Sequence, residues 1–149
     1  MGVSKPFARV LHAATTVPRL YAAALAAGVG PAGAVEVLRI SEASLRTSTA
    51  RGRGVPGRIN ALRHFIWQAM LTARFDRSVA ASIAQAQERG TPTVRDSRVD
   101  DHNNGIGQDY GEEHPTLATE AIASAAERLA AVGLDKWESD ELIWVRPRR

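Results

Sequence analysis

The 149-residue chain contains no cysteine, which excludes disulfide scaffolds, cysteine-ligated zinc and thiol nucleophiles together. Aromatic residues are scarce, at 5%, so alanine supplies much of the apolar surface. A core of that kind favours closely packed helices, because alanine costs a helix nothing and fills little volume. Lysine is nearly missing too: Lys5 and Lys136 stand among arginines. The net charge is +3, from 19 basic and 16 acidic residues. Although the isoelectric point is about 9.9, this balance permits a nucleic-acid partner without requiring one.

Long apolar runs are missing as well. Pro18 and Arg19 interrupt the stretch from Phe7 to Ala27, and Gly28, Gly30, Pro31, Gly33 and Glu36 break the next one, so no transmembrane segment is expected. Lys5 and Arg9 ahead of alanine-rich sequence imitate the start of a secretion signal, but His12, two threonines and Arg19 spoil its apolar part. Location stays open between the cytoplasm and export without a clear signal peptide.

What is present, 44% hydrophobic and 23% charged residues, is enough for one compact core. The expected fold is all-α, with a short C-terminal strand or last helical turn at Leu142–Val145. Residues 1–57 read as an Ala-rich helical extension, two small helices joined at Gly28–Pro31, followed by a basic linker over Ser44–Gly57. Residues 58–149 read as the helical core domain. Its central helix shows Ile59, Leu62, Ile66, Met70 and Ala73 at three- and four-residue spacing, one buried helix face. A second helix runs from Ser78 to Arg89, capped by Asp76 or Ser78 and stopped by Gly90, and a third from Pro115 to Val132, ending at Gly133. Between these lies the polar stretch Thr91–His114 with the sequence DDHNNGIG at its centre, read as a loop.

That loop holds the candidate chemistry. It fails as an EF-hand, since Gly111 stands where a bidentate glutamate is needed. A divalent-metal site on His64, Asp100, Asp101 and His102 suits the residue types, with Glu88 as a fourth ligand or general base, although no paired-histidine motif is present. A metal-dependent nuclease would use His102 on metal-bound water, with Val94–Val99 as a preceding strand and the basic linker along a nucleic-acid backbone. A serine triad and a phosphate loop fail, because GxSxG and the P-loop lysine are missing. The rival to all of these is structural: Asn103 and Asn104 hydrogen-bond nearby backbone, His64 sits half-buried beside Trp67, and Arg63 pairs with Asp100.

Three blocks carry a resemblance: Asn60–Ala69 (NALRHFIWQA), Ile83–Glu88 (IAQAQE) and Asp100–Gly107 (DDHNNGIG). Together they resemble an uncharacterised, mainly helical bacterial domain family with an NAxRHAxW helix, a second helix ending in AHE and a DxHNNxxG loop. Such domains end cell-wall-associated and toxin-like proteins, so the resemblance implies an effector or envelope role with an immunity-like or envelope partner. Matching positions are Arg63, His64, Trp67, Glu88, Asp100, His102, Asn103, Asn104 and Gly107. Gln87 departs from the pattern, which has histidine there, and glutamine is a poor zinc ligand. The resemblance implies that His64, Glu88 and His102 converge. The function expected is an effector-like or envelope-associated domain with a polar pocket of His64, Glu88, Asp100 and His102. If it is an enzyme, a hydrolase is expected, metal-assisted or not, with His64, Glu88 and His102 as catalytic residues and Arg63, Trp67, Asn103 and Asn104 against substrate. A non-catalytic binding module built on the same residues is the alternative.

Overall fold

The computed structural model describes residues 17–88 and 94–144. Six α-helices follow in order: α1 (residues 17–26), α2 (Gly30–Arg51), α3 (Pro56–Arg74), α4 (Arg77–Glu88), α5 (Val94–Glu113) and α6 (Ile122–Glu138), with a 3-10 turn at Pro115–Ala118. The all-α expectation holds, and no strand occurs among the described residues. None of these helices is long and apolar enough to cross a membrane.

Helix α3 is the hub. It packs most extensively on α5 and also touches α2, α4 and α6. That explains its composition: Leu62, Phe65, Ile66, Trp67, Ala69, Met70 and Leu71 are all buried, on more than one side of the helix. Pro56 opens it, where a missing N–H costs nothing. At its far end Arg74, 12% exposed, ties Glu36 on α2 to the Glu120 carbonyl before α6. Asp76 caps α4 by accepting from the Val79 amide at 2.7 Å, as the sequence predicts.

Four expectations are corrected. Ser44–Arg51 is not a linker but the last turns of α2, which runs for 22 residues, and Ser44, Thr47 and Ser48 are buried. The Ser44 hydroxyl donates to the Ile40 carbonyl four residues back, so its polarity is satisfied inside the helix. The DDHNNGIG segment is not a loop but the middle of α5, so Val94–Val99 is helical rather than a strand. The third expected helix begins at Ile122, and Gly133 does not end it but lies within it, packed against Leu62 and Phe65. Residues 143–144 have no regular structure. The expected stop at Gly90, the signal-like residues Lys5, Arg9 and His12, and Val145 lie outside the described residues.

The turn expected at Gly28–Pro31 is present, with Gly28 and Gly30 at φ +89° and +75°. Helix α2 after it is nevertheless long, and it lies on α3 and α6 as part of the body.

Candidate functional site

The contact between α3 and α5 is built from polar and small residues. Asn60 Nδ2 donates to Asp100 Oδ1 at 3.0 Å, His64 Nδ1 meets Asn104 Oδ1 at 2.8 Å, and Gln108 Nε2 donates to Gln68 Oε1 at 2.7 Å. Each pair is separated by 40 residues, and both members advance by four. The two helices therefore run parallel, joined by rows of side chains one turn apart. Beside this row Gly107 and Gly111 let the backbones approach. A Cβ on Gly107 would stand 2.7 Å from the Phe65 carbonyl oxygen, and one on Gly111 2.5 Å from that of Ala69.

His64 is the deepest titratable group of the row, 7% exposed. With Nδ1–H donating to Asn104, its Nε2 faces Asp100 Oδ1 at 3.3 Å and makes no hydrogen bond. Burial, and then the Arg63 charge, hold the imidazole down at about 4, against the opposing pull of Asp100, the Asn104 bond and Asp101. It is a neutral ring at physiological pH. Trp67 packs edge-on against it, with ring centroids 6.1 Å apart.

Asp100 links the row to an acidic cluster. Glu88, at the C-terminus of α4, shares this corner with Asp101 and Asp100 on α5. Its carboxyl is pushed up to about 7, first by desolvation, then by a hydrogen bond with Asp101 and by the charges of Asp101 and Asp100. Glu88 Oε1 is buried without a hydrogen-bond partner, so one oxygen of a half-protonated carboxyl is uncommitted. Arg63, exposed, donates from Nη2 to Asn60 Oδ1 at 3.2 Å and adds a positive charge beside Asp100.

The remaining motif residues face another way. His102 Nε2 is 2.8 Å from the Glu141 carbonyl oxygen. The Asn103 amide bonds Ile143 twice, donating to its carbonyl and accepting its N–H, both at 2.9 Å. Together they clip residues 141–143 against α5. Leu142 is buried, and the Trp144 indole lies over Gly57, where a Cβ would come within 2.4 Å of the ring.

The structure thus brings together His64, Glu88, Asp100 and Asp101, with Arg63 at the rim, and directs His102 and Asn103 to the C-terminal segment. Trp67, Asn103 and Asn104, expected against substrate, are buried, and both asparagines bond within the chain. Among the described residues no three histidine, aspartate or glutamate side chains are placed to hold a metal ion. The expected quartet His64, Asp100, Asp101 and His102 does not assemble as ligands, because helical geometry turns residue 102 about 200° from residue 100. Gln87 is exposed. Asn60, Gln68 and Gln108 belong to the row although sequence reasoning assigned them no role. The signal that finds them is the four-residue spacing of polar positions at a constant offset.

No curated protein and no solved structure matches the chain. Residues 28–131 match a domain of unknown function (DUF6973), and the chain belongs to that family.

Proposed function

We propose that this domain is a hydrolase working by carboxyl acid–base chemistry at Glu88. The observation that carries the reading is the convergence of Glu88, Asp100 and Asp101 beside a buried neutral histidine, with Glu88 Oε1 uncommitted. Ionised Glu88 would take a proton from water as its oxygen bonds to an acyl or phosphoryl centre, and would return that proton to the leaving group. Burial first, and then Asp101, push the Glu88 carboxyl up to about 7, which supports an acid–base role near neutral pH. Arg63, exposed at the rim, would steady an anionic substrate or intermediate. His64 is assigned a positioning role, holding α5 through Asn104 and facing Asp100. The motif likeness supports an effector or envelope setting in a bacterium, with an immunity-like partner.

A binding module is the second reading, favoured by one observation: His102 and Asn103 spend their hydrogen bonds on the chain itself. The two are separated with p-nitrophenyl acetate and bis(p-nitrophenyl) phosphate as probes. Glu88→Gln should lower turnover of at least one probe by about 100-fold or more, with little change in melting temperature. If neither probe is turned over faster by the natural chain than by Glu88→Gln, the hydrolytic reading falls.

A further inference from the structure

Residues 141–144 lie beyond the span that matches the family, yet three features of that span are shaped around them. Asn103 presents a donor and an acceptor to one residue's backbone, pairing with Ile143 as a neighbouring strand would. His102 bonds the Glu141 carbonyl, and Gly57 leaves room for the Trp144 ring. Two of the three bonds are to carbonyls and one to an amide, so the slot reads main chain rather than side chains. The clipping residues also adjoin Asp100 and Asp101 directly in α5.

We propose that residues 141–144 are a positioning strap: by seating in the slot formed by Gly57, His102 and Asn103, they fix the first turns of α5 and hence the placement of Asp100 and Asp101 against Glu88. The physical argument is one of support. Beyond Asn104 the helix is held by Gln68, by the close glycine contacts and by Arg77, which reaches Asp109 and Glu112. Before Asn104 the bonds from other elements include those of Asn60 to Asp100, of Glu88 to Asp101 and of the strap to His102 and Asn103. Losing the strap removes three of them at once. The strap acts through α5 and does not itself enter the reacting site. As a role in catalysis it rests on the hydrolase reading, whereas its mechanical part does not.

The test uses the full chain with Asn103→Ala, which removes both bonds to Ile143, and Gly57→Ala, which displaces the indole while leaving the strap sequence intact. Amide exchange is followed at residue 143, at 97–101, at 108–113 and along α6. Both variants should expose the residue 143 amide and speed exchange of 97–101 by at least tenfold, while 108–113 and α6 keep their protection. Turnover of whichever chromogenic probe the natural chain hydrolyses should fall in kcat with KM little changed, and Trp144→Phe should behave as the natural chain. If residue 143 is exposed while 97–101 stay protected, the strap is passive and the proposal is overturned. Equal loss of protection everywhere also overturns it, since the strap is then only a contribution to global stability. Should the natural chain hydrolyse neither probe, the hydrolase reading fails and the exchange pattern still decides the strap.

Discussion

Two side chains that feel the charge of Asp100 are shifted in opposite directions. Glu88 at about 7 lies above its ordinary 4.5, and His64 at about 4 lies below its ordinary 6.5. From pH 4.5 to 7 the native state binds the Glu88 proton more tightly than the unfolded chain, so this group makes stability fall as pH rises. From pH 4 to 6.5 the unfolded chain binds the His64 proton more tightly, so this group makes stability rise with pH. Over their shared window the two slopes oppose each other, so the contributions of these two groups offset one another there. Glu88→Gln removes one slope, and its melting temperature should climb between pH 4 and 6.5. A series of thermal melts checks this, and a flat profile for the variant would refute the assignment to His64. Burial is the largest cause of both shifts; the charges that then act are Arg63 on α3 with Asp100 and Asp101 on α5 for His64, and the same two aspartates for Glu88.

At the scale of the element, α5 shows what could not be read from composition. A helix buried by an apolar stripe announces itself by periodicity, as α3 does. Apart from Val99, the buried residues described on α5 are Asn103, Asn104, Gly107, Gln108 and Gly111, which by type read as loop. Each glycine costs a helix interior roughly 1 kcal/mol against alanine, and close approach to α3 is what offsets this. The prediction separates glycines within the one helix. Gly107→Ala and Gly111→Ala, whose Cβ atoms would meet α3 backbone at 2.7 and 2.5 Å, should each destabilise by about 1–3 kcal/mol. Gly105→Ala, with nothing within 4 Å, should stabilise by roughly 0.5–1 kcal/mol. Urea unfolding of the three variants gives the signs. The basic stretch Ser44–Gly57 reads as a linker for a similar reason: over its helical part, serine and threonine bonding to carbonyls three and four residues back hide inside a helix while looking like a linker.

Over the whole molecule, the central helix and its buried face are legible in the sequence because helical spacing carries them, whereas the expected meeting of His64, Glu88 and His102 rests on the motif resemblance and not on spacing. The sequence did not reveal that His102 turns away, since that depends on residues 100–104 being helical rather than looped. Nor did it show how distant helices are tied. Arg74 on α3 binds both Glu36 on α2 and the Glu120 carbonyl ahead of α6 and is nearly buried, so Arg74→Ala should cost about 1–3 kcal/mol through unpaired groups. Arg46→Ala, which removes an exposed pair within α2, should cost less than about 0.5 kcal/mol. Chemical denaturation distinguishes a tie between elements from a bond within one, and equal effects would show that Arg74 holds nothing together.

The polar row between α3 and α5 has a consequence for how the two helices find one another. Its members repeat every four residues, and so do Gly107 and Gly111. Sliding α5 by one turn, about 5.4 Å, would set Asn104 against Asn60, Gln108 against His64 and Gly111 against Phe65, each a chemically tolerable match. The seam thus works like a toothed rack, firm sideways but nearly indifferent to which notch is engaged. The choice of notch falls to bonds that do not repeat: Asn103 to Ile143 at one end, and Arg77 to Asp109 and Glu112 at the other.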